Sequence, residues 1–289
     1  MYIDNNEIIA VITDNYGRKF DLLANQVIWF RKPDFNFKLP EINCSIEEKE
    51  YISNEIKMTI ENIYSFPNLK WINNPRYANS AKNKFQQLIA AKQIGDKYRV
   101  KIPETIMTNS SDIVINKCKE FNNMVVKPIY TGNITINGWN QGILTQKISN
   151  NDVTNNLNSI DLNPTCIQKY IDKKFELRVV VIGEKVFSIK IDSQKDERTK
   201  VDWRKYAKLC KHEIFELPKN IEVFCIEFMK NQKLTYGSID FIVNENNEYY
   251  FLENNPFGQW LWLENFTNIP ITKEFIEIFL GHSNPVFYY

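Results

Sequence analysis

The chain places two carboxylates and an amide inside an apolar strand pattern near its carboxyl end. The stretch YYFLENNPFGQW, residues 249–260, puts Glu253 and Asn255 at the end of a hydrophobic run. An upstream run, SIDFIV, contains Asp240, and the polar residues 244–247 between the two runs are typical of a hairpin turn. Burying carboxylates without partners costs several kcal/mol, so this hairpin must offer them a cation or leave them in water.

The register of that hairpin decides between the two alternatives. A four-residue turn predicts that Asp240 faces Phe251, which makes Asp240 and Glu253 diagonal neighbours about 7–8 Å apart at the backbone. One divalent cation could then bridge them, and oxygen ligands of this kind suit Mg²⁺, which also keeps waters and phosphate oxygens. Strand alternation would put these residues on one face: Asp240, Tyr249, Phe251, Glu253 and Asn255. A face that is simply solvated is the alternative.

Composition bounds the function classes. The chain has 289 residues, 43% of them hydrophobic, and a formal charge of +1, so no global field draws it to nucleic acid or to an anionic membrane. Its start, MYIDNNEIIAV, lacks the layout of an export signal, and we expect a cytoplasmic protein. The five scattered cysteines and two histidines favour neither a disulfide framework nor a zinc site nor a histidine triad.

The coarse pattern predicts an α+β fold with antiparallel sheets and covering helices. Residues 80–95 read as a helix that begins at Ser80 and carries Lys84, and MVVKP reads as a short strand that ends with Lys127. ELRVVVIGEKVFSIKI predicts a hairpin with a tight turn at Gly183. If Mg²⁺ holds phosphates, cations should approach them from elsewhere in the fold, and these two lysines are candidates. Each alone is more typical of a solvated charge.

The order of these features resembles the ATP-grasp superfamily. The segments that carry the resemblance are VIWFRKP, WINNP, AKNKFQQLIAAKQIGDKYRVKIPETIMTN, VVKP, ELRVVVIGEKVFS, DWR and FLENNPFGQWLW. Together they look like the ATP-grasp ligases that macrocyclise ribosomal peptides, the microviridin or graspetide (ω-ester peptide) family. The resemblance runs from about Val27 to Trp262. It departs at the front, where only about two dozen residues precede the WFRKP stretch, so we expect a truncated N-terminal domain.

The resemblance implies an ATP-grasp fold that binds ATP and Mg²⁺ between two subdomains. It divides the chain into a partial N-terminal domain at 1–75, a central subdomain at 76–165 and a C-terminal subdomain with the metal site at 166–289. It implies that the nucleotide is bound by Lys84, Lys127, Gln168, Lys169, Tyr170 and Ile171. It also implies that the metal ligands are Asp240, Glu253 and Asn255. Arg178 and Arg204 would face the acyl phosphate and the acceptor peptide, with Glu176 and Asp202 beside them.

The chemistry that the resemblance implies is activation of peptide Asp or Glu side chains as acyl phosphates. Ser or Thr hydroxyls or Lys amines of the same ribosomal precursor peptide then displace phosphate, while a leader segment of that peptide docks beside the central domain. Asp202 or Glu176 would accept a proton or orient an arginine. Neither nucleic acid nor membrane is an expected partner, and a homodimer stays open.

Other interpretations remain open from the residues. A different ATP-grasp carboxylate–amine ligase, which adds amino acids to a protein C-terminus or makes a dipeptide, would share every ATP residue. A nucleotide-binding regulatory protein without turnover is a third. Taken without the resemblance, the Glu-x-Arg and Asp-x-Arg pairs are typical of surface salt bridges. The aromatic side chains after the hairpin either line a peptide site or belong to the core: Phe257, Trp260, Trp262 and Phe266.

Overall fold

The computed structural model describes residues 2–3, 7–31, 43–121, 123–130, 133–136 and 139–289. The strands of this part are β1 (Tyr2–Ile3), β2 (Ile8–Ile9), β3 (Val11–Thr13), β4 (Lys19–Asp21), β5 (Gln26–Trp29), β6 (Leu69–Ile72), β7 (Val100–Lys101), β8 (Thr105–Thr108), β9 (Met124–Lys127), β10 (Asn133–Ile136), β11 (Trp139–Gly142), β12 (Gln146–Ile148), β13 (Thr165–Lys169), β14 (Phe175–Ile182), β15 (Lys185–Asp192), β16 (Lys211–Ile214), β17 (Tyr236–Val243) and β18 (Tyr249–Asn255). The helices are α1 (Ile46–Ile63), α2 (Pro75–Ser80), α3 (Lys84–Tyr98), α4 (Ser111–Cys118), α5 (Asn150–Asn155), α6 (Leu157–Leu162), α7 (Lys219–Asn231), α8 (Leu261–Thr267) and α9 (Ile271–Phe279), with a 3₁₀ helix at Trp203–Leu209.

The largest sheet has six strands in the order β16-β15-β14-β17-β18-β7. All neighbours are antiparallel except β18 and β7. The predicted hairpin at Gly183 is confirmed, and the glycine adopts the left-handed φ of 58° that such a tight turn requires. Helices α3 and α7 pack on one face of the sheet, where their apolar side chains meet Phe241 and Phe251. Helices α8 and α9 cover the other face around Val180 and Ile182.

A second sheet has four antiparallel strands in the order β12-β9-β13-β8. Helices α4, α5 and α6 cover it through a separate apolar cluster that includes Val114, Val153 and Ile160. The two larger sheets therefore have their own cores. The predicted α+β class, with antiparallel sheets and covering helices, is confirmed.

Helix α3, which carries Lys84, begins later than predicted. Asn83 is its N-cap, because the Asn83 side chain accepts a hydrogen bond from the backbone N–H of Gln86. Ser80 instead ends the short helix α2. The helix also continues past Gly95, where a Cβ would lie 2.4 Å from the backbone oxygen of Val100, so this glycine serves close packing against β7 rather than a cap.

The front of the chain packs against the six-stranded sheet through β5 and β6, a parallel pair. The buried side chain of Asn73, next to β6, donates hydrogen bonds to the backbone oxygens of Tyr236 and Pro256. Within the described residues, no helix combines the length and hydropathy that crossing a membrane requires. The domain boundaries at 75/76 and 165/166 stay predictions.

Candidate functional site

A cavity lies between the two larger sheets. Its walls come from α3, β9, β13, β14, β17, β18 and the segment 201–204, and it encloses about 900 Å³ of empty space, part of which opens to solvent. The predicted site residues that line it are Lys84, Lys127, Gln168, Lys169, Tyr170, Ile171, Glu176, Asp202, Arg204, Asp240 and Glu253.

The hairpin that bears the carboxylates has a different register from the predicted one. Asp240 pairs directly with Glu253, because Leu252 is an extra residue on β18 and forms a β-bulge. The predicted pairing of Asp240 with Phe251 and the diagonal relation are wrong. The predicted shared face is also wrong, since Tyr249 and Phe251 belong to the core under α7. The bulge nevertheless brings both carboxylates to the cavity, with Leu252 beside them.

Two lysines face these carboxylates. The Nζ of Lys84, in the first turn of α3, lies 3.3 Å from Oε2 of Glu253 and donates a hydrogen bond of 3.0 Å to the backbone oxygen of Pro128. Lys127, at the end of β9, pairs with Cys166 of β13 through its backbone and lines the same cavity, and its side chain makes no hydrogen bond or ion pair with any described residue. A cation in this position can hold an anion that enters the cavity.

The charges in the cavity shift one another's protonation. Burial raises the pKa of Asp240 to about 7, and the neighbouring Glu253 adds to the rise, although Arg178 opposes it. Burial alone would also raise the pKa of Glu253, but Lys84 and Lys127 outweigh it and hold that pKa below its usual value. Burial lowers the pKa of Lys127. Two carboxylates on paired strand positions thus share one site, and an added cation would relieve the repulsion between them.

Arg204 enters the cavity from the start of the 3₁₀ helix. Asp202 holds it by two hydrogen bonds, Nε to Oδ1 at 2.8 Å and Nη2 to Oδ2 at 2.5 Å, and the pKa of Arg204 is raised by them. Oδ2 of Asp202 also accepts the backbone N–H of Thr145 at 3.0 Å. Burial acts to raise the pKa of Asp202, yet the hydrogen bonds from Arg204 keep it below its ordinary value. Asp202 is therefore an ionised group that orients an arginine.

Glu176 has other partners. Its Oε1 accepts hydrogen bonds of 2.8 Å from Lys173 Nζ and 2.8 Å from Ser193 Oγ, all three residues being buried. Lys173 also donates to the backbone oxygen of Val201, next to Asp202. Glu176 is thus engaged by a lysine and a serine rather than by an arginine, and it ties β14 to the segment that precedes Arg204.

Arg178 and Asn255 line a neighbouring cleft instead of the cavity. The Nε of Arg178 lies 2.9 Å from Oδ1 of Asp240, outside hydrogen-bond geometry, so the pair is an ion pair across adjacent strands. Oδ1 of Asn255 accepts the backbone N–H of Phe257. The cleft is lined by Arg178, Trp203, Arg204, Ala207, Asn255, Phe257, Gln259 and Trp262. Arg204 lines both the cavity and the cleft.

The aromatic side chains after the hairpin divide between the two predicted alternatives. Trp260 is a core residue, stacked on Phe275. Phe257 and Trp262 line the cleft beside Arg204. Phe266 lies face to face with the ring of His212, with centroids 4.4 Å apart.

The end of β13 and the residues that follow it form the remaining wall. Gln168 is buried and donates to Oγ1 of Thr105, and Lys169 pairs with Glu104 at 2.6 Å. The Nζ of Lys147 lies 3.7 Å from the ring centroid of Tyr170. Burial raises the pKa of Tyr170 to about 12. This wall presents amide, aromatic and aliphatic surface, which suits a planar heterocycle.

The donor set fits magnesium with a nucleotide. No group of three or more His, Cys, Asp or Glu side chains is placed to hold a metal within the described ranges, so the protein alone offers no complete cage. Asp240 and Glu253 are adjacent carboxylates, and Lys127 and Arg204 line the same cavity. This set fits Mg²⁺, which binds one or two carboxylates in proteins and completes its coordination shell with phosphates and water.

Sequence reasoning missed several residues that line the cavity, among them Thr145, Lys173 and Trp203. Lys173 stands three residues before Glu176, and this spacing next to a buried strand was a usable sign of a pair. Thr145 contributes a backbone N–H, which no side-chain pattern reveals.

Comparison with known proteins gives the family. The family model described as RimK-like ATP-grasp domain matches residues 80–279. A Chryseobacterium gregarium RiPP-associated ATP-grasp ligase, solved with ADP and a leader and core peptide, superposes with a TM-score of 0.87 at 26% identity, covering 98% of this chain and 84% of that one. The macrocyclase MdnC from Microcystis aeruginosa, bound to its precursor peptide MdnA, gives 0.81 at 28% identity, covering 98% and 87%.

A further Microcystis aeruginosa macrocyclase, MdnB, has the same fold, with a TM-score of 0.72 at 21% identity over 96% of this chain and 84% of that one. The search of curated protein sequences found no match. The predicted ATP-grasp fold and the predicted enzyme class, a ligase that uses ATP with Mg²⁺, are confirmed at the level of the family. The family model spans well over half of the chain, and the chain belongs to the RimK-like ATP-grasp family.

Proposed function

We propose that this chain is an ATP-dependent peptide macrocyclase. It activates Asp or Glu side chains of a ribosomal precursor peptide as acyl phosphates and joins them to Ser or Thr hydroxyls or to Lys amines of the same peptide. The observation that carries the proposal is the meeting of Lys84, Lys127 and Arg204 with Asp240 and Glu253 at one cavity that continues past Arg204 into an open cleft.

The similar structures support the peptide as substrate. Two ligases that cover almost all of this chain were solved with leader and core peptides or with a precursor peptide. We infer that this chain also takes a precursor peptide with a leader segment. The homodimer stays a prediction.

Asp240 and Glu253 would hold Mg²⁺, which supplies neutralisation of the phosphate oxygens when bound. Asn255 lines the cleft, where its Oδ1 accepts the backbone N–H of Phe257, and it would join them through the second lone pair of that oxygen. Lys127 and Lys84 bind the ATP phosphates, and the linker residues 168–171 hold the base. These roles need positioning and electrostatics rather than a covalent nucleophile on the protein.

Arg204 is placed to face the reacting carboxylate. It lines both spaces, and the two hydrogen bonds that it donates to Asp202 fix the plane of its guanidinium. A peptide carboxylate in the cleft would meet the cations Arg178 and Arg204, which orient it toward the γ-phosphate and stabilise the charge of the transferred phosphoryl group. Because Asp202 is already engaged by Arg204, it acts in orientation, and the acceptor's proton leaves through another group or water.

The test is co-expression with the short peptides encoded beside this gene, followed by mass spectrometry. Each ring should remove the mass of one water from the peptide, and a Glu253→Gln variant should leave the mass unchanged. Peptide carboxylates labelled with ¹⁸O should pass one label into the released phosphate, because the acyl phosphate carries a carboxylate oxygen to phosphorus. Unlabelled phosphate alongside ring formation would exclude this mechanism.

The same experiment separates the rival ligase. An enzyme that adds amino acids to a peptide C-terminus increases the substrate's mass by one residue per step, whereas a macrocyclase lowers it. Mass gain on the peptide, dependent on a free amino acid, would replace the macrocyclase proposal with that of a carboxylate–amine ligase.

A further inference from the structure

The strand that bears the metal ligands has an open edge. Strand β18 pairs with β17 along its length, but on its other side β7 pairs with it only at Tyr249 and Tyr250. Among the described strands, none continues that side toward Glu253 and Asn255. The backbone that carries the carboxylate therefore needs another partner to be held in place.

Gln87 of α3 fills this edge. Its Oε1 accepts the backbone N–H of Asn254 at 2.7 Å, and its Nε2 donates to the backbone oxygen of Asn254 at 2.8 Å. The same Nε2 donates to the backbone oxygen of Ala81 at 2.6 Å. Gln87 is 2% exposed. One side-chain amide thus pairs with both backbone groups of a residue, as a neighbouring strand would.

The position of this contact matters for the site. Asn254 turns its side chain into the core beside Met229, so its neighbours Glu253 and Asn255 turn to the opposite face. Lys84 lies three residues before Gln87 on the same helix, and its Nζ contacts Glu253 at 3.3 Å. The amide of Gln87 therefore fixes the distance between the helix that carries the lysine and the strand that carries the carboxylate.

We propose that Gln87 is a positioning residue for the nucleotide and metal site, acting through Lys84 and Glu253. The proposal rests on the nucleotide binding in the proposed function but not on the peptide chemistry. Gln87 touches no reacting atom, and its effect is to hold two charged groups in register. A shift of about 1 Å at such groups is enough to cost about 100-fold in rate.

The test measures binding of a non-hydrolysable ATP analogue with Mg²⁺ by calorimetry. Gln87→Met keeps the length of the side chain and removes both the oxygen and the nitrogen of the amide, and affinity should fall about tenfold or more. Val114→Ala is the matched control, because it opens a cavity in the separate core under α4 and should leave affinity within about twofold. Unchanged affinity in Gln87→Met would overturn the proposal.

A second arm separates positioning from general stability. The losses of binding free energy caused by Lys84→Met and Gln87→Met should be less than additive in the double variant, because Gln87 acts through the lysine that the first substitution removes. Losses that multiply would show that Gln87 acts independently of Lys84.

Hydrogen exchange on the unmodified chain provides a measurement that needs no variant. The amide of Asn254 should exchange as slowly as those of the paired β17 strand. Exchange as fast as that of an exposed edge would mean that Gln87 does not hold it, and the proposal would fail.

Discussion

Glu253→Gln is the substitution whose consequences are most sharply defined. It removes one negative charge while keeping the shape of a side chain that contacts Lys84 at 3.3 Å and pairs with Asp240. At an effective dielectric constant of about 20, an attraction over this distance is about 5 kcal/mol before desolvation. Both side chains are partly exposed, at 21% and 31%, so screening and desolvation bring the net value to about 1 kcal/mol.

The substitution also relieves the repulsion between Glu253 and Asp240, which offsets part of the lost attraction to Lys84. The free energy of unfolding should therefore change by about 1 kcal/mol or less, and the melting temperature by about 2–4 °C at most. Catalysis should respond far more strongly. Loss of a metal ligand forfeits several kcal/mol of transition-state stabilisation, so turnover of ATP should fall by about 100-fold or more.

The assay follows ADP release over a range of Mg²⁺ concentrations, in the presence of a precursor peptide that the unmodified enzyme cyclises. Glu248→Gln is the matched control, because Glu248 precedes the same strand and pairs with Lys101 outside the cavity. The control should match the unmodified enzyme, and Glu253→Gln should require more Mg²⁺ and turn over less. Turnover within about threefold of the unmodified enzyme, at the same half-saturating Mg²⁺, would refute the assignment of Glu253 to the metal.

The remaining predictions concern the cations and one histidine. Lys127→Ala should raise the ATP concentration needed for half-maximal turnover by about tenfold or more, because an otherwise unpaired cation is lost; an unchanged value in steady-state kinetics would remove Lys127 from the site. Arg204→Ala should reduce ring formation by about 100-fold while ADP affinity measured by calorimetry changes by less than about threefold, and a defect confined to ADP affinity would reassign it. Burial lowers the pKa of His212. Below pH 6.5, about the pKa of histidine in an unfolded chain, the unfolded protein therefore binds a proton more readily than the folded protein does. Stability should fall with pH below that value and be fully present above it. Urea unfolding from pH 5 to 8 should show this dependence reduced in His212→Phe, and equal dependence in both proteins would contradict it.

The sequence predicted the participants in the cavity better than their geometry. The alternation of side chains and the turn length placed Asp240 and Glu253 on one hairpin. The register derived from the four-residue turn assumed, however, that the strands pair without a bulge. The bulge at Leu252 arises from packing, since Phe251 must face the core while Glu253 faces the cavity. No local propensity marks such an inserted residue, so the register could not be obtained from the strand pattern alone.

Helix α3 shows the same limit. Its periodicity predicted a helix, and Asn83 was available as a cap, yet Ser80 also had cap chemistry, and only the separate helix α2 decides between them. Gln87 offered a sign that could have been used, because it is a polar residue beside the buried Leu88 on a packed helix. Its partner, a backbone at residue 254, lies far along the chain and is visible only in the fold.

The division of the predicted site between two spaces also came from tertiary structure. Arg178 and Asp240 lie on adjacent strands and pair directly, yet Arg178 lines the cleft while Asp240 lines the cavity. The order of motifs in the sequence identified both residues, whereas the position of Arg204 between the cavity and the cleft depends on the 3₁₀ helix and on Asp202.

The most direct test of the account is a crystal structure of the protein with ADP and Mn²⁺ in place of Mg²⁺, with the ion located by its anomalous scattering. If these carboxylates hold the metal, a peak should appear within about 2.4 Å of carboxylate oxygens of Asp240 or Glu253 and in contact with the ADP phosphates. A peak elsewhere in the molecule, or ADP bound with both carboxylates turned away from its phosphates, would contradict it.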